Sequence, residues 1–125
     1  MNNIDKAVVF LDSFDFATYK KKQNSLDLFK NPEDMLNIQK FEENKQKLLK
    51  IFSDEEFSII LGSLKCNNLS LIENKLNSLK INAISIFSNL YPKTLKNIDT
   101  PPLVIYYKGN INLLSTNCLF CNSGF

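Results

Sequence analysis

Two adjacent prolines, Pro101 and Pro102, stand directly before a continuous apolar run, Leu103–Tyr107. Proline fixes its own φ angle and keeps the residue before it out of the helical region, so the backbone here must be extended. Five apolar residues in a row, ended by the turn residues Lys108 and Gly109, are typical of a strand buried on both faces. The C-terminal part of the chain therefore cannot be helical throughout, and a strand is predicted at 103–107.

The first 80 residues have a different pattern, in which apolar residues recur at helical spacing. The pattern predicts five short amphipathic helices, the third with a break in the polar stretch 42–47. Their apolar positions are Ile4, Ala7, Val8 and Leu11; Phe16, Tyr19, Leu26 and Phe29; Met35, Ile38, Phe41, Leu48 and Leu49; Phe57, Ile60, Leu61 and Leu64; and Leu76 and Leu79. Few glycines interrupt them, so residues 1–80 are predicted to form a compact helical domain.

The first helix is predicted to start after Asn2 and Asn3, and three further motifs predict where helices begin. The segment 31–34 offers a capping asparagine, a proline for the first turn and two acids that favour the positive end of the helix dipole. Ser53 with Glu56 forms a capping-box pattern, and Ser70 with Glu73 repeats it. Each of the two serine patterns predicts a helix that starts at the residue after the serine.

From residue 81 onward the pattern becomes mixed. A strand is predicted at 82–87, a helical turn containing Leu95 within 89–97, and the strand at 103–107. The predicted fold class is mainly α, with a helical domain over 1–80, a short α/β segment over 81–114 and an irregular tail over 115–125. Because so short a tail follows it, the strand 103–107 is expected to be exposed or loosely packed.

The composition excludes several kinds of site. The chain has fifteen lysines but no arginine, histidine or tryptophan. Without histidine there is no Ser-His or Cys-His catalytic pair and no histidine-ligated metal. Without arginine there is no bidentate grip on phosphate, so anion contacts must come from lysines, backbone N–H groups or helix N-termini. Residues 1–62 carry nine lysines and eleven acids, whereas residues 63–125 carry six lysines and two acids.

Candidate chemical motifs favour structural interpretations. Cys118 and Cys121 have the spacing of a metal or redox pair, but no second pair exists and Cys66 is remote, so reduced thiols are expected. The lysine run 20–22 is typical of a solvated helix face. The pairs Glu42-Glu43 and Glu55-Glu56 are interpreted as solvated or dipole-compensating acids, because adjacent helical residues do not share a face. Of Tyr106 and Tyr107, one is expected to face the core and one to face outward. No catalytic residue, cofactor or metal is predicted.

The segment 81–114 also carries a family resemblance. It contains Tyr91-Pro92, Leu95, Ile98, Pro101-Pro102, the strand 103–107, Lys108-Gly109 and Leu113-Leu114, in that order. With this spacing it resembles the DNA-processing protein A family (DprA/Smf), and residues 1–80 resemble that family's sterile-alpha-motif-like (SAM-like) helical domain. The residues Tyr91, Pro92, Pro101, Pro102, Lys108 and Gly109 are the family-motif positions, for which a structural role is expected.

The resemblance implies a function. It implies a cytoplasmic, non-catalytic protein that binds single-stranded DNA, loads the RecA recombinase during natural transformation and forms a homodimer in the intact family, without a membrane segment. By the same resemblance, residues 81–114 are the incomplete start of the family's Rossmann-like DNA-binding domain. In the family this domain continues after Leu-Leu into a phosphate loop that reads close to Ala-Ile-Val-Gly-Ser-Arg. That loop is absent here, so no nucleic-acid-binding residue is assigned, and DNA binding by this chain is expected to be weakened or lost.

Two further hypotheses concern the end of the chain and its role. A reading frame shifted by one base from Phe120 can encode Phe-Ala-Ile-Val-Gly, so residues 120–125 are interpreted as a tail that is out of frame. The alternative function is a small helical module that binds another protein through its apolar faces and has no role with DNA.

Overall fold

The computed structural model of the chain describes residues 2–109. Its helices and strands are α1 (Asn3–Asp12), α2 (Tyr19–Leu28), a 3₁₀ helix (Pro32–Leu36), α3 (Ile38–Glu43), α4 (Lys45–Leu48), α5 (Asp54–Lys65), α6 (Asn68–Ser78), β1 (Asn82–Ser85), α7 (Lys93–Lys96) and β2 (Val104–Tyr107). The prediction of a mainly helical chain with a short strand pair near its C-terminal end is confirmed. That the strand pair begins a Rossmann-like domain, and that the helices are SAM-like, stay predictions.

Helix α1 lies at the centre of the molecule. It begins as predicted, because the Asn2 side chain accepts a hydrogen bond of 2.7 Å from the backbone N–H of Asp5. Its residues 7–11 are almost completely buried, with Phe10 fully enclosed. The other elements collect around it: the 3₁₀ helix, α2, α6 and both strands all contact α1.

The break predicted in the third helix at 42–47 is confirmed at Asn44, whereas the interruption at Asn37 was not predicted. The segment 31–49 forms the 3₁₀ helix and then two short α-helices, interrupted at Asn37 and Asn44. The Asn37 side chain accepts a bond from the N–H of Lys40 at 3.1 Å and starts α3, whereas Asn31 makes no such side-chain bond. The Asn44 side chain donates to the Lys40 carbonyl at 2.8 Å where α3 ends. Asparagine side chains compete with the helix for backbone groups, and here both interruptions fall on asparagines.

The two capping-box patterns have different outcomes. Ser53 and Glu56 form both bonds of the box, at 3.1 and 2.9 Å, and α5 starts there as predicted. The Ser53 N–H and then Lys21 hold the pKa of the Glu56 carboxyl below its usual value. The prediction at Ser70 is wrong, because α6 already begins at Asn68, after Asn67 in a left-handed conformation with φ of 54°. Ser70 therefore lies inside a helix rather than at its start.

This contrast predicts that two equivalent substitutions differ in effect. Ser53→Ala removes a real cap and should lower the free energy of unfolding by about 1 kcal/mol. Ser70→Ala removes no cap, and alanine has the higher helix propensity, so stability should stay within about 0.5 kcal/mol of the parent. Urea unfolding of both variants measures the difference. Equal losses for the two serines would contradict the assignment of the helix starts.

The two strands form an antiparallel pair in which Ala83 lies opposite Tyr106, and Ser85 lies opposite Val104. One face of this sheet joins the main core beside α1, through Ala83 and Val104. The other face carries Ile84 and Ile105 under a smaller apolar cluster. Successive residues of a strand point to opposite faces, and here each face of the sheet is covered by a different part of the chain.

The expectation of a loose strand is wrong for its first half, because Leu103, Val104 and Ile105 are 7, 8 and 2% exposed. Residues 86 and 87 lie outside β1, which is shorter than predicted. Tyr106 and Tyr107 are both half-buried and belong to opposite clusters, so the expectation that one faces outward is also wrong.

Several predictions lie outside the described residues: the pair Leu113-Leu114, the cysteines 118 and 121, and the tail from residue 115. The third cysteine, Cys66, is exposed at the end of α5 and forms no disulfide within residues 2–109. The boundary between residues 80 and 81 stays a prediction. Over residues 2–109, no helix combines the length and the apolar composition that crossing a membrane requires.

Candidate functional site

Two tyrosine hydroxyls, one from the family-motif residue Tyr91 and one from Tyr19 of α2, hold the proline pair of the motif. The Tyr91 hydroxyl donates to the Pro102 carbonyl at 2.7 Å, and the Tyr19 hydroxyl donates to the Pro101 carbonyl at 2.8 Å. Two prolines in an extended segment present carbonyl oxygens but no N–H groups, so hydroxyl donors suit them. The pair Pro101-Pro102 is thereby fixed between α2 on one side and the residues before α7 on the other.

Tyr91 is the centre of the smaller apolar cluster. Its ring is 3% exposed and packs with Leu95, Ile84 and Ile105. The Lys96 ammonium lies 5.9 Å from the centre of the ring, within the range of a cation–π contact. Burial, and then the neighbouring Tyr19, raises the pKa of Tyr91 to about 12. Pro92, the next family-motif residue, is buried directly before α7.

Lys108 and Gly109 follow β2 and are both exposed. Gly109 has a φ of +85°, a left-handed conformation that strains residues with a side chain, although a Cβ would meet nothing within 4 Å. Glycine is therefore required there by the backbone rather than by space. Of the six family-motif residues, the structure groups the tyrosine and the three prolines and leaves these two at the far end of β2.

A second polar group joins β2 to the first two helices. The Tyr106 hydroxyl donates to one Asp12 oxygen at 2.8 Å, and the Lys22 ammonium donates to the other at 2.7 Å. Burial, and then the Asp12 charge, raises the pKa of Tyr106 well above its usual value. Lys21 pairs with Glu56 at 3.2 Å. The interpretation of 20–22 as a solvated run is wrong for two of its three lysines, because neighbouring helices bring acids to them.

A buried carboxylate supports the outer edge of β1. Asp5 is 4% exposed, and one of its oxygens accepts the N–H of Ser85 at 2.9 Å. Asp5 also lies in the first turn of α1, where the positive end of the helix dipole favours an acidic side chain. Sequence reasoning missed Asp5, Asp12 and Tyr19, whose partners lie 80 to 94 positions away in the chain. Only the position of Asp5 in a first turn carried a local signal.

Two open cavities near these groups are lined by carboxylates, and only the first of them also carries a lysine. One of about 500 Å³ is lined by Tyr19, Lys20, Phe87 and Asp99 among others. Another, of about 330 Å³, lies against the edge of β1 and includes Asp5 and Glu73. Within residues 2–109, no group of three or more acids and cysteines is placed to hold a metal ion. Neither cavity therefore identifies a ligand by its lining.

The lysines of the C-terminal part have a different environment. Lys80, Lys93, Lys96 and Lys108 are exposed, and none of them forms an ion pair in the part of the chain that the structure describes. Asp99 is the only acid between residues 80 and 109. This part of the surface is accordingly basic, whereas the ion-paired lysines belong to the helices.

Comparison with known proteins gives one match. The model of the family described as DNA recombination-mediator protein A matches residues 82–120. The chain matches no curated protein and no solved structure. The matched range contains the strand pair, the buried Tyr91-Pro92 and the Pro101-Pro102 segment, and the resemblance to DNA-processing proteins is thereby confirmed over residues 82–120 as a match to DNA recombination-mediator protein A.

Proposed function

We propose that this chain takes part in DNA processing as a cytoplasmic, non-catalytic protein that binds single-stranded DNA and hands it to a RecA-type recombinase during natural transformation. The match of residues 82–120 to DNA recombination-mediator protein A carries the proposal. A homodimer is part of the same proposal. The absence of histidine and arginine from the sequence supports the non-catalytic role, because the commonest acid–base and phosphate-gripping side chains are missing.

The expected binding is electrostatic and sequence-independent. Lysine ammonium groups contact phosphates as point charges, and each contact releases a counterion from the strand. The C-terminal part of the described structure supplies such groups as lysines that form no ion pair within residues 2–109. Affinity for a single strand should therefore fall steeply as salt is raised, whatever its base sequence.

The test is titration of a fluorescent single-stranded oligonucleotide with the full chain at several salt concentrations. We expect saturable binding whose logarithm falls linearly with the logarithm of salt, and weaker binding to the matching duplex. Absence of binding at low salt would refute the proposal. A complex that also retains a RecA-type recombinase on the strand would support the second half of the function.

A second candidate is the helical interaction module. On α5 and α6, Ile59 and Leu71 remain 45 and 65% exposed, which is more than the apolar residues facing α1. Such side chains favour contact with another protein. Binding to a protein partner that persists at high salt, together with no binding to oligonucleotides, would favour this candidate over the first.

A further inference from the structure

We infer that single-stranded DNA is held on the outer side of residues 86–97, here called the cover segment, with Phe87 and Leu90 against bases and with Lys93 and Lys96 on phosphates. The inference rests on the proposed function and gives it a location. This location lies outside the phosphate loop that the family resemblance implies.

The inner side of the cover segment is firmly held. Tyr91, Pro92 and Leu95 are buried, and the Tyr91 hydroxyl is bonded to the Pro102 carbonyl at 2.7 Å. Leu95 and Tyr91 close one face of the strand pair. A binding surface on such a segment loses little conformational freedom when a ligand is bound, because its backbone is already anchored.

The outer side combines apolar and basic residues. Phe87 and Leu90 are 49 and 57% exposed, although large apolar side chains are usually covered. Lys93 and Lys96 are exposed, and these four residues recur at every third position. Aromatic rings that stack on bases and lysines that follow the backbone are the two components of binding to single strands without sequence preference.

The charge of the cover segment favours an anion at its lysine end. The segment contains two lysines and no acid, whereas acids from other parts of the chain line the cavities at Phe87 (Asp27 and Asp99) and at Leu90 (Asp5 and Glu73). Several lysines of the helices are ion-paired, as Lys6 is with Glu73 and Lys40 with Asp34. Within residues 2–109, Lys93 and Lys96 form no ion pair, so their charge is available to phosphates. The apolar pair beside them favours a ligand with flat apolar faces over a bare inorganic anion.

The experiment compares two matched double variants of the full chain. Lys93→Gln with Lys96→Gln removes two charges from the cover segment. Lys47→Gln with Lys50→Gln removes two exposed, unpaired lysines at the same spacing from the region of α4. With a dT20 oligonucleotide, the first pair should lower affinity about tenfold and reduce the salt slope by about 1.4, as expected for two lost phosphate contacts. The second pair should leave affinity within about twofold.

A second comparison tests stacking. Phe87→Ala should weaken binding at least fivefold at every salt concentration without changing the salt slope, and Phe87→Trp should retain binding. Leu71→Ala, which shortens a more exposed apolar residue on α6, should have no effect. Far-UV circular dichroism confirms that each variant has the parent's helical content.

Three outcomes would overturn the inference. Equal losses from the two lysine pairs would show that only total charge matters. Binding by the parent that neither the cover-segment lysines nor Phe87 affects would place the strand elsewhere and leave the proposed function standing. No binding of dT20 by the parent at low salt, or binding only to vesicles of anionic lipid, would remove the proposed function as well.

Discussion

A Phe41→Ala variant should unfold at a much lower urea concentration than the parent, with a loss of about 3–5 kcal/mol in the free energy of unfolding. Phe41 is 1% exposed and stacks on Phe57, with ring centres 5.0 Å apart and planes inclined by 19°. This contact joins α3 to α5. Because domains of this size are stable by only about 5–15 kcal/mol, the loss is a large share of the total.

The same variant tests whether the helices and the strand pair unfold together. The chain has no tryptophan, and three of its four tyrosines, Tyr91, Tyr106 and Tyr107, lie in the last part of the described structure. Tyrosine fluorescence therefore reports mainly on residues 82–109, whereas far-UV circular dichroism reports mainly on the helices. We expect both signals of Phe41→Ala to shift to the same lower midpoint, because one cooperative unit gives coincident transitions.

Ile59→Ala is the control, because it shortens a residue of α5 that is 45% exposed. It should lower the free energy of unfolding by less than about 1 kcal/mol. A tyrosine transition that stays at the parent's midpoint while the helical signal shifts would show that residues 1–80 and 81–109 unfold independently. Such a result would favour the domain boundary predicted near residue 80.

The structural reason to expect one unit is a set of long-range bonds. Asp5 accepts the N–H of Ser85, Asp12 accepts the hydroxyl of Tyr106, and Tyr19 donates to Pro101. Each joins a helix of the first 28 residues to the segment after residue 80. Ala83, Leu103 and Val104 also belong to the same apolar core as α1.

Local chemistry in the sequence predicted part of this fold. Asn2 and Ser53 act as caps because the residues that they bond are three positions away, within reach of a short-range pattern. The identical pattern at Ser70 failed, because α6 already begins at Asn68, after Asn67 in a left-handed conformation. The interruption at Asn44 falls in the polar stretch 42–47 where a break was predicted, whereas the one at Asn37 was hidden because an asparagine is compatible with a helix interior and with a cap.

The candidate site was predictable as a set of residues but not as a geometry. The order of Tyr91-Pro92 and Pro101-Pro102 identified a motif, yet nothing local indicates that the tyrosine hydroxyl reaches Pro102. Tyr19 was predicted only as one apolar position of a helix. Its bond to Pro101 depends on how α2 packs against the segment before β2, which is a tertiary property.

Raising the pH above 10 should destabilise the folded chain through its buried tyrosines. The pKa of Tyr91 is raised to about 12, and the pKa values of Tyr106 and Tyr107 are also raised, in each case first by burial. An unfolded tyrosine ionises near pH 10. The stability is therefore fully present below pH 10 and is lost as the pH rises toward the folded pKa, because the unfolded chain releases protons that the folded chain keeps.

The free energy of unfolding is expected to fall steeply with pH above 10. Each hydroxyl that stays protonated only in the folded state removes up to about 1.4 kcal/mol per pH unit from the free energy of unfolding. Tyr91 and Tyr106 act in the same direction, so both lower the free energy of unfolding as the pH rises above 10. Urea unfolding at a series of pH values measures the slope, and the ultraviolet absorbance of tyrosinate shows whether ionisation coincides with loss of helix.

Lysines titrate in the same range, so the slope of the parent alone does not identify the tyrosines. Tyr106→Phe separates the two, since it leaves Lys22 and Asp12 in place and removes only the hydroxyl. At neutral pH this variant should be less stable by about 1 kcal/mol, because Asp12 loses a hydrogen bond. Above pH 10 its stability should decline less steeply than the parent's, so the two curves converge. Parallel curves would mean that the Tyr106 hydroxyl ionises equally in the folded and unfolded states, and that its bond to Asp12 does not hold the proton.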